Sequence, residues 1–141
     1  MSKIMITGGA GFIGSQLASS LKKDGHHVTI VDNMSYGYED NLFVDDEAVC
    51  DKFANVDIRS DQMFGEMNQD IDYDFHFAGI SSLPECQSKP YKAIDVNAAG
   101  TAQVLEAARC RGVKRVIFAS TSAIYENDKS FPNKESDSSS P

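Results

Sequence analysis

Residues 6–17 read ITGGAGFIGSQL, with Gly8, Gly11 and Gly14 at three-residue intervals. The runs on either side of these glycines restrict the fold more than the glycines do. Before them, KIMIT (3–7) is a short β-branched-rich run of the kind that forms a buried strand. After them, Ile13, Leu17 and Leu21 share one helical face, and Gly25 follows as a stop. A strand that passes into a helix through glycines is a βα unit. Its bare backbone lets a ligand approach closely, and the helix start offers unpaired N–H groups and a positive dipole end.

The second apolar run, HHVTIVDN, ends on Asp32, 18 residues after Gly14. A carboxylate there can accept hydrogen bonds from the ribose hydroxyls of a dinucleotide, whose pyrophosphate would sit on the glycine turn. Asp32 would also repel a 2′-phosphate, and Asn33 is no substitute for the Arg that would attract one. The pair therefore favours NAD over NADP.

The remaining chain continues the alternation. Residues 35–50 read as an acidic, irregular connection with one helical turn. DKFANVDI is a third strand, SDQMFGEMN a short capped helix, and YDFHFAG a fourth strand. After Pro90 a long helix runs to Gly112, and VKRVIFAST is a fifth strand. Strands alternating with helices predict a doubly wound parallel sheet with helices on both faces, an α/β architecture. Its domain spans 1–126, and 127–141, rich in Ser, Asp, Lys and Pro, is expected to be a loop or disordered tail.

The 141 residues suit one domain, and 41% apolar with 24% charged residues is ordinary for a globular chain. A formal charge of −8 without any basic run argues against nucleic acid or an anionic membrane as partner. No apolar run reaches the roughly 20 residues that cross a bilayer, and MSKIMITGG lacks the form of a signal peptide. Cys50, Cys86 and Cys110 have no paired ligand spacing and are odd in number. They predict no metal, reduced thiols and a cytoplasmic setting.

Several stretches in order resemble the extended short-chain dehydrogenases/reductases, in particular the NAD-dependent nucleotide-sugar epimerases and dehydratases. TGGAGFIG is similar to that family's glycine turn, VDN to its second strand end, and DIR (57–59) to its adenine-side segment. HFAG (76–79), NAAGTAQVLEAA (97–108) and FASTSAIY (118–125) resemble its fourth strand, following helix and fifth strand. The resemblance implies a Rossmann-type sheet and NAD. It implies that Phe12 and Ile13 offer backbone N–H groups to the pyrophosphate, that Asp57 accepts from the adenine amino group, and that Ile58 packs on the ring. Phe77, Ala78, Gly79 and Ser81 would line the crevice, and Asn97 would be a buried strut near the nicotinamide half. His76 is read as a packed, hydrogen-bonded residue rather than a catalytic one; His26 and His27 are expected to be solvated.

In that family hydride passes between a sugar carbon and the nicotinamide, with a Tyr as base, a Lys that lowers its pKa, and a Ser/Thr hydroxyl on the substrate oxygen. A phenol of ordinary pKa near 10 needs such help at neutral pH. The resemblance puts Thr121 at the hydroxyl position, with Ser120 and Ser122 as neighbours. No suitable Tyr-x-x-x-Lys follows: Tyr125 precedes Lys129 but matches the family's strand-end Tyr-Gly, with Glu126 in place of the glycine. The chain is therefore expected to be the N-terminal part of a longer enzyme. It would lack the last strands and the substrate domain that would hold a nucleotide sugar, be inactive alone, and self-associate through uncovered apolar surface. The alternatives are a non-catalytic NAD-binding module and a carbonyl reductase of the same superfamily.

Overall fold

The computed structural model describes residues 1–68, 70–125 and 132–135. Among these residues seven strands occur in chain order: β1 (Lys3–Thr7), β2 (His27–Asp32), β3 (Phe43–Val44), β4 (Glu47–Ala48), β5 (Lys52–Asn55), β6 (Tyr73–His76) and β7 (Arg115–Phe118). Five of them form one parallel sheet in the order β5–β2–β1–β6–β7. β1 lies at the centre, with Ile6 in register with Ile30 on one side and Phe75 on the other. Neighbours on both sides and layers on both faces make β1 and β2 apolar almost throughout, as parallel strands are.

Alternation along β1 divides the core. Ile4 and Ile6 point with Val28 and Ile30 to one face, where Ala18 of α1 (Phe12–Lys23) packs. Met5 points with Val31 to the other, beneath Met63 of α2 (Gln62–Glu66) and Val104 and Ala107 of the helix Thr101–Arg111. Helices thus cover both faces, as the βαβ alternation predicts. Lys22 and Lys23 in the last turn of α1 suit its negative dipole end.

Three segments differ from the sequence expectation. Residues 35–50 hold a 3-10 turn at Glu39–Leu42 and the small antiparallel hairpin of β3 and β4. Its two loop residues, Asp45 and Asp46, both have positive φ, the conformation of a tight hairpin turn. The hairpin brings Leu42, Val49 and Cys50 into the α1-side core.

The long helix after Pro90 is broken into pieces. A further helix, α3 (Leu83–Ser88), precedes it and ends at Lys89, whose extended φ of −135° is what a following proline favours. Then come α4 (Pro90–Ile94), a π-helical stretch at Asp95–Gly100, and α5 (Thr101–Arg111). The wide π turn lies where Gly100 meets Ile58; a Cβ on Gly100 would stand 2.6 Å from Ile58 Cδ1.

The fifth strand of the sheet ends at Phe118, short of the expected Ser120 and Thr121. Of the domain expected over 1–126 and the tail expected over 127–141, residues 126–131 and 136–141 lie outside the described residues. The described stretch 132–135 is neither helix nor strand. No helix among the described residues is long and apolar enough to cross a membrane.

Candidate cofactor site

The strand order reverses direction between β1 and β6, and at their carboxyl ends a crevice opens to solvent. Such a switch point is where open α/β sheets take their ligands, because the connections leave it in opposite directions. Gly8 and Gly11 form its floor, Asp32 and Asn33 one bank, and Phe77, Ala78 and Gly79 the other. Asp57, Ile58 and Arg59 close the end beside β5.

The glycines are required by close approach. Gly8 has φ +72°, and a Cβ on it would lie 2.6 Å from the Ala78 nitrogen. A Cβ on Gly14 would lie 2.5 Å from the Gly8 carbonyl oxygen, so the helix can pack this near the strand only without one. Gly9, outside the three-residue spacing, is equally constrained: its Cβ would fall 2.6 Å from Ile30 Cγ2. The doubled glycine in TGGAG was the available signal.

No side chain caps α1, so its first-turn N–H groups face outward uncapped. Phe12 and Ile13 bear those amides while their side chains are 82% and 65% exposed, outside the crevice lining. Buried Asp32 ties the turn to the second strand: Oδ2 accepts from Ala10 N at 3.1 Å and Oδ1 from Met34 N at 2.8 Å. Glycine turn and acid are thus one rigid unit.

Asp57 is more heavily engaged than the resemblance implies. Arg59 donates to both its oxygens, at 2.8 and 2.7 Å, and Asn33 Nδ2 donates to Oδ2 at 2.9 Å. The guanidinium, above all, holds this carboxyl far below the usual carboxylate range. Arg59 also reaches Asp95 at 2.6 Å and so links the β5 end to the π turn.

On the opposite bank, Asn97 clamps Ile80 from two sides. Its Oδ1 accepts from Ile80 N at 2.7 Å and its Nδ2 donates to Ile80 O at 2.9 Å. It is a strut, but an exposed one, correcting the expectation of burial. Ser81, also expected in the lining, is exposed and outside it, because α3 begins just beyond and turns the chain away.

His76 is buried, as read, and serves structure. Thr101 Oγ1 gives its hydrogen to Asn97 O at 2.7 Å, so it accepts from His76 Nε2 at 2.9 Å. Nδ1 is then the acceptor for the Thr7 hydroxyl at 2.6 Å. Burial pushes the imidazole down to about 4 and keeps it neutral. Two positions earlier on the same face, Asp74 is fully buried with no partner on either oxygen among the described residues, and desolvation pushes it up to about 7. His26 and His27 are not merely solvated: His26 Nδ1 accepts from Ser2 N at 3.2 Å, and His27 lies 3.3 Å from Asp51.

Thr121 is not on a strand. It heads a 3-10 turn at Ser122–Tyr125, where its hydroxyl accepts from Ala123 N at 3.2 Å. Ser120, Thr121 and Ser122 are exposed and lie outside the crevice. Past the edge strand β7, no neighbour among the described residues holds them against the switch point. Lys129 lies outside the described residues.

Residues 4–141 match the model of the NAD dependent epimerase/dehydratase family. The chain belongs to that family. It is 36% identical over 136 residues to a UDP-glucose 4-epimerase of Lacticaseibacillus casei, covering 95% of this chain and 40% of that one. It is 34% identical over 138 residues to one of Klebsiella pneumoniae, covering 95% of this chain and 99% of the relative. The structure of UDP-glucose-4-epimerase from Stenotrophomonas maltophila with bound NAD and formylated UDP-arabinopyranose superposes with a TM-score of 0.90 at 31% identity. That match covers 99% of this chain and 43% of that one. The family member described here therefore spans about two fifths of the Lacticaseibacillus relative and of the Stenotrophomonas structure.

Proposed function

We propose that this chain binds NAD in the β1–β6 crevice and is the dinucleotide-binding part of a nucleotide-sugar epimerase or dehydratase. The observation that carries the reading is the Gly8–Gly14 turn, packed so closely on strand and helix that Gly8, Gly9 and Gly14 leave no room for a Cβ, set under an uncapped helix start and tied to Asp32. The pyrophosphate would rest on the N–H groups of Phe12 and Ile13. Asp32 would accept from the adenosine ribose, with Asn33 beside it. Asp57 would accept from the adenine amino group as one more donor on an already crowded carboxylate, and Ile58 would pack on the ring. Phe77, Ala78 and Gly79 would border the ribose and phosphates, with Asn97 fixing their bank through Ile80.

NAD, when bound, supplies the acceptor for a hydride from a sugar carbon. The chain's own part is to orient the cofactor and exclude water from one side. Thr121, with Ser120 and Ser122, is the hydroxyl proposed for the substrate oxygen; it can serve there only once its turn is drawn to the crevice. The 141-residue chain alone is accordingly proposed to bind cofactor without turning over a nucleotide sugar, and to self-associate. Sedimentation as a monomer at micromolar concentration would count against the last point.

Calorimetric titration tests the cofactor reading. NAD should bind at least about ten-fold more tightly than NADP, and Asp32→Ala should erase most of that difference, since one charge-assisted contact and one repulsion are lost. Tighter binding of NADP, or an unchanged ratio in Asp32→Ala, overturns it.

A further inference from the structure

Lys92 stands where the two banks of the crevice meet. It projects from α4 and donates through Nζ to Glu85 Oε1 at 3.1 Å and to the Tyr36 hydroxyl at 3.3 Å. The ammonium also lies 5.6 Å from the Tyr36 ring centroid, within cation–π range. Tyr36 comes from the loop after β2 and donates its own hydroxyl hydrogen to Glu85 Oε1 at 2.5 Å. The break at Lys89–Pro90 makes this possible, because α3 and α4 meet at a corner that sets Glu85 and Lys92 face to face. Both Tyr36 and Lys92 line the crevice.

Charge decides what Lys92 is available to do. Asp32 and Asp57 line the crevice and disfavour an anionic ligand. Arg59 lines it too, but its guanidinium is divided between Asp57 and Asp95. Lys92 is the other cation of the lining. An ammonium has three N–H groups, and Glu85 and Tyr36 take two. Its side chain is 42% exposed, which leaves the third free to turn toward a ligand. The hydrogen bonds it donates to Glu85 first, and to Tyr36 second, hold its pKa up, so it is charged at neutral pH.

We propose that Lys92, held between Glu85 and Tyr36, binds a phosphate group of the dinucleotide, an assignment that rests on the cofactor reading above. Tyr36 and Glu85 are positioning residues. They fix the ammonium where the loop after β2 and the helices after β6 converge, so an anion in the crevice engages a cation held from both sides. Tyr91 and Lys92 lack the spacing of a Tyr-Lys catalytic pair, and the pairing that matters joins residues 56 apart in sequence.

An NMR titration of the whole chain with ADP and with adenosine tests this. The two probes share base and ribose and differ in the diphosphate. Lys92→Met should weaken ADP about ten-fold, as expected for one charge-assisted hydrogen bond, and adenosine less than about two-fold. Lys92→Arg should restore most of the ADP affinity by keeping the charge. Equal losses for both probes, or no loss for ADP, overturns the assignment while leaving NAD binding intact. Failure of the wild-type chain to bind either ADP or NAD overturns the cofactor reading and this assignment together.

Discussion

β2 and β7 are both short apolar parallel strands, yet they hold the residues at their carboxyl ends very differently. β2 has a strand on either side and a helix layer over each face, and Val28 to Asp32 are buried. Asp32 at its tip is consequently locked to Ala10 and Met34. Among the described residues β7 pairs only with β6; its Val116 and Ile117 are partly open, and Phe118 is 57% exposed. The Thr121 hydroxyl beyond it bonds within its own turn. A strand tip becomes a site when its neighbours hold it on both sides.

The largest test of that contrast lies on the inner side of β6. Asp74 is unpartnered, and its pKa is raised above the ordinary 3.8 to about 7. A raised folded-state pKa gives stability that is complete below the unfolded pKa and lost as pH climbs through about 7. Asp74→Asn should therefore be more stable than wild type at pH 8 by up to about 4 kcal/mol and indistinguishable near pH 4, measured by urea unfolding. No difference at pH 8 would mean the carboxylate finds water or a partner, and the interior around β6 would be less closed than that of β2. His76 behaves oppositely. Its depressed pKa gives stability present above pH 6.5 and lost toward pH 4, so the Asp74→Asn variant should lose about 3 kcal/mol over that window.

Next in size, Gly14→Ala should cost about 2 kcal/mol and weaken NAD, because its Cβ meets main chain that cannot give way. A thermal melt and a cofactor titration read the two effects. Wild-type behaviour would mean the α1 bank is as loose as the β7 edge. Smallest of all, Thr121→Val should change stability by less than about 0.5 kcal/mol, since its hydroxyl is exposed and makes a single local bond. A larger loss would show that the turn is held more firmly than its contacts imply.

Much of the fold could be read in advance, and for local reasons. The glycine turn, the helix after it and the apolar run ending on Asp32 are patterns within a few residues of one another, although the face α1 buries is Gly14, Ser15, Ala18 and Ser19 and leaves Ile13 exposed. The Asp45–Asp46 hairpin is equally local but only faintly marked, because Asp-Asp is a weaker turn signal than Asn-Gly. The Lys89–Pro90 break was legible in the proline, though the helix before it was not.

What the sequence determined by itself is the first βα unit, the alternation that builds a parallel sheet, and the acid beside the glycine turn. Backbone conformation and side-chain periodicity are dictated by near neighbours, and so survive in a linear reading. Tertiary structure alone decided that Arg59 would reach Asp95, that Asn97 would grip Ile80 from a π turn, and that Lys92 would meet Tyr36. Those pairings depend on crossover direction, strand register and a helix corner, and together these bring distant residues within hydrogen-bond reach.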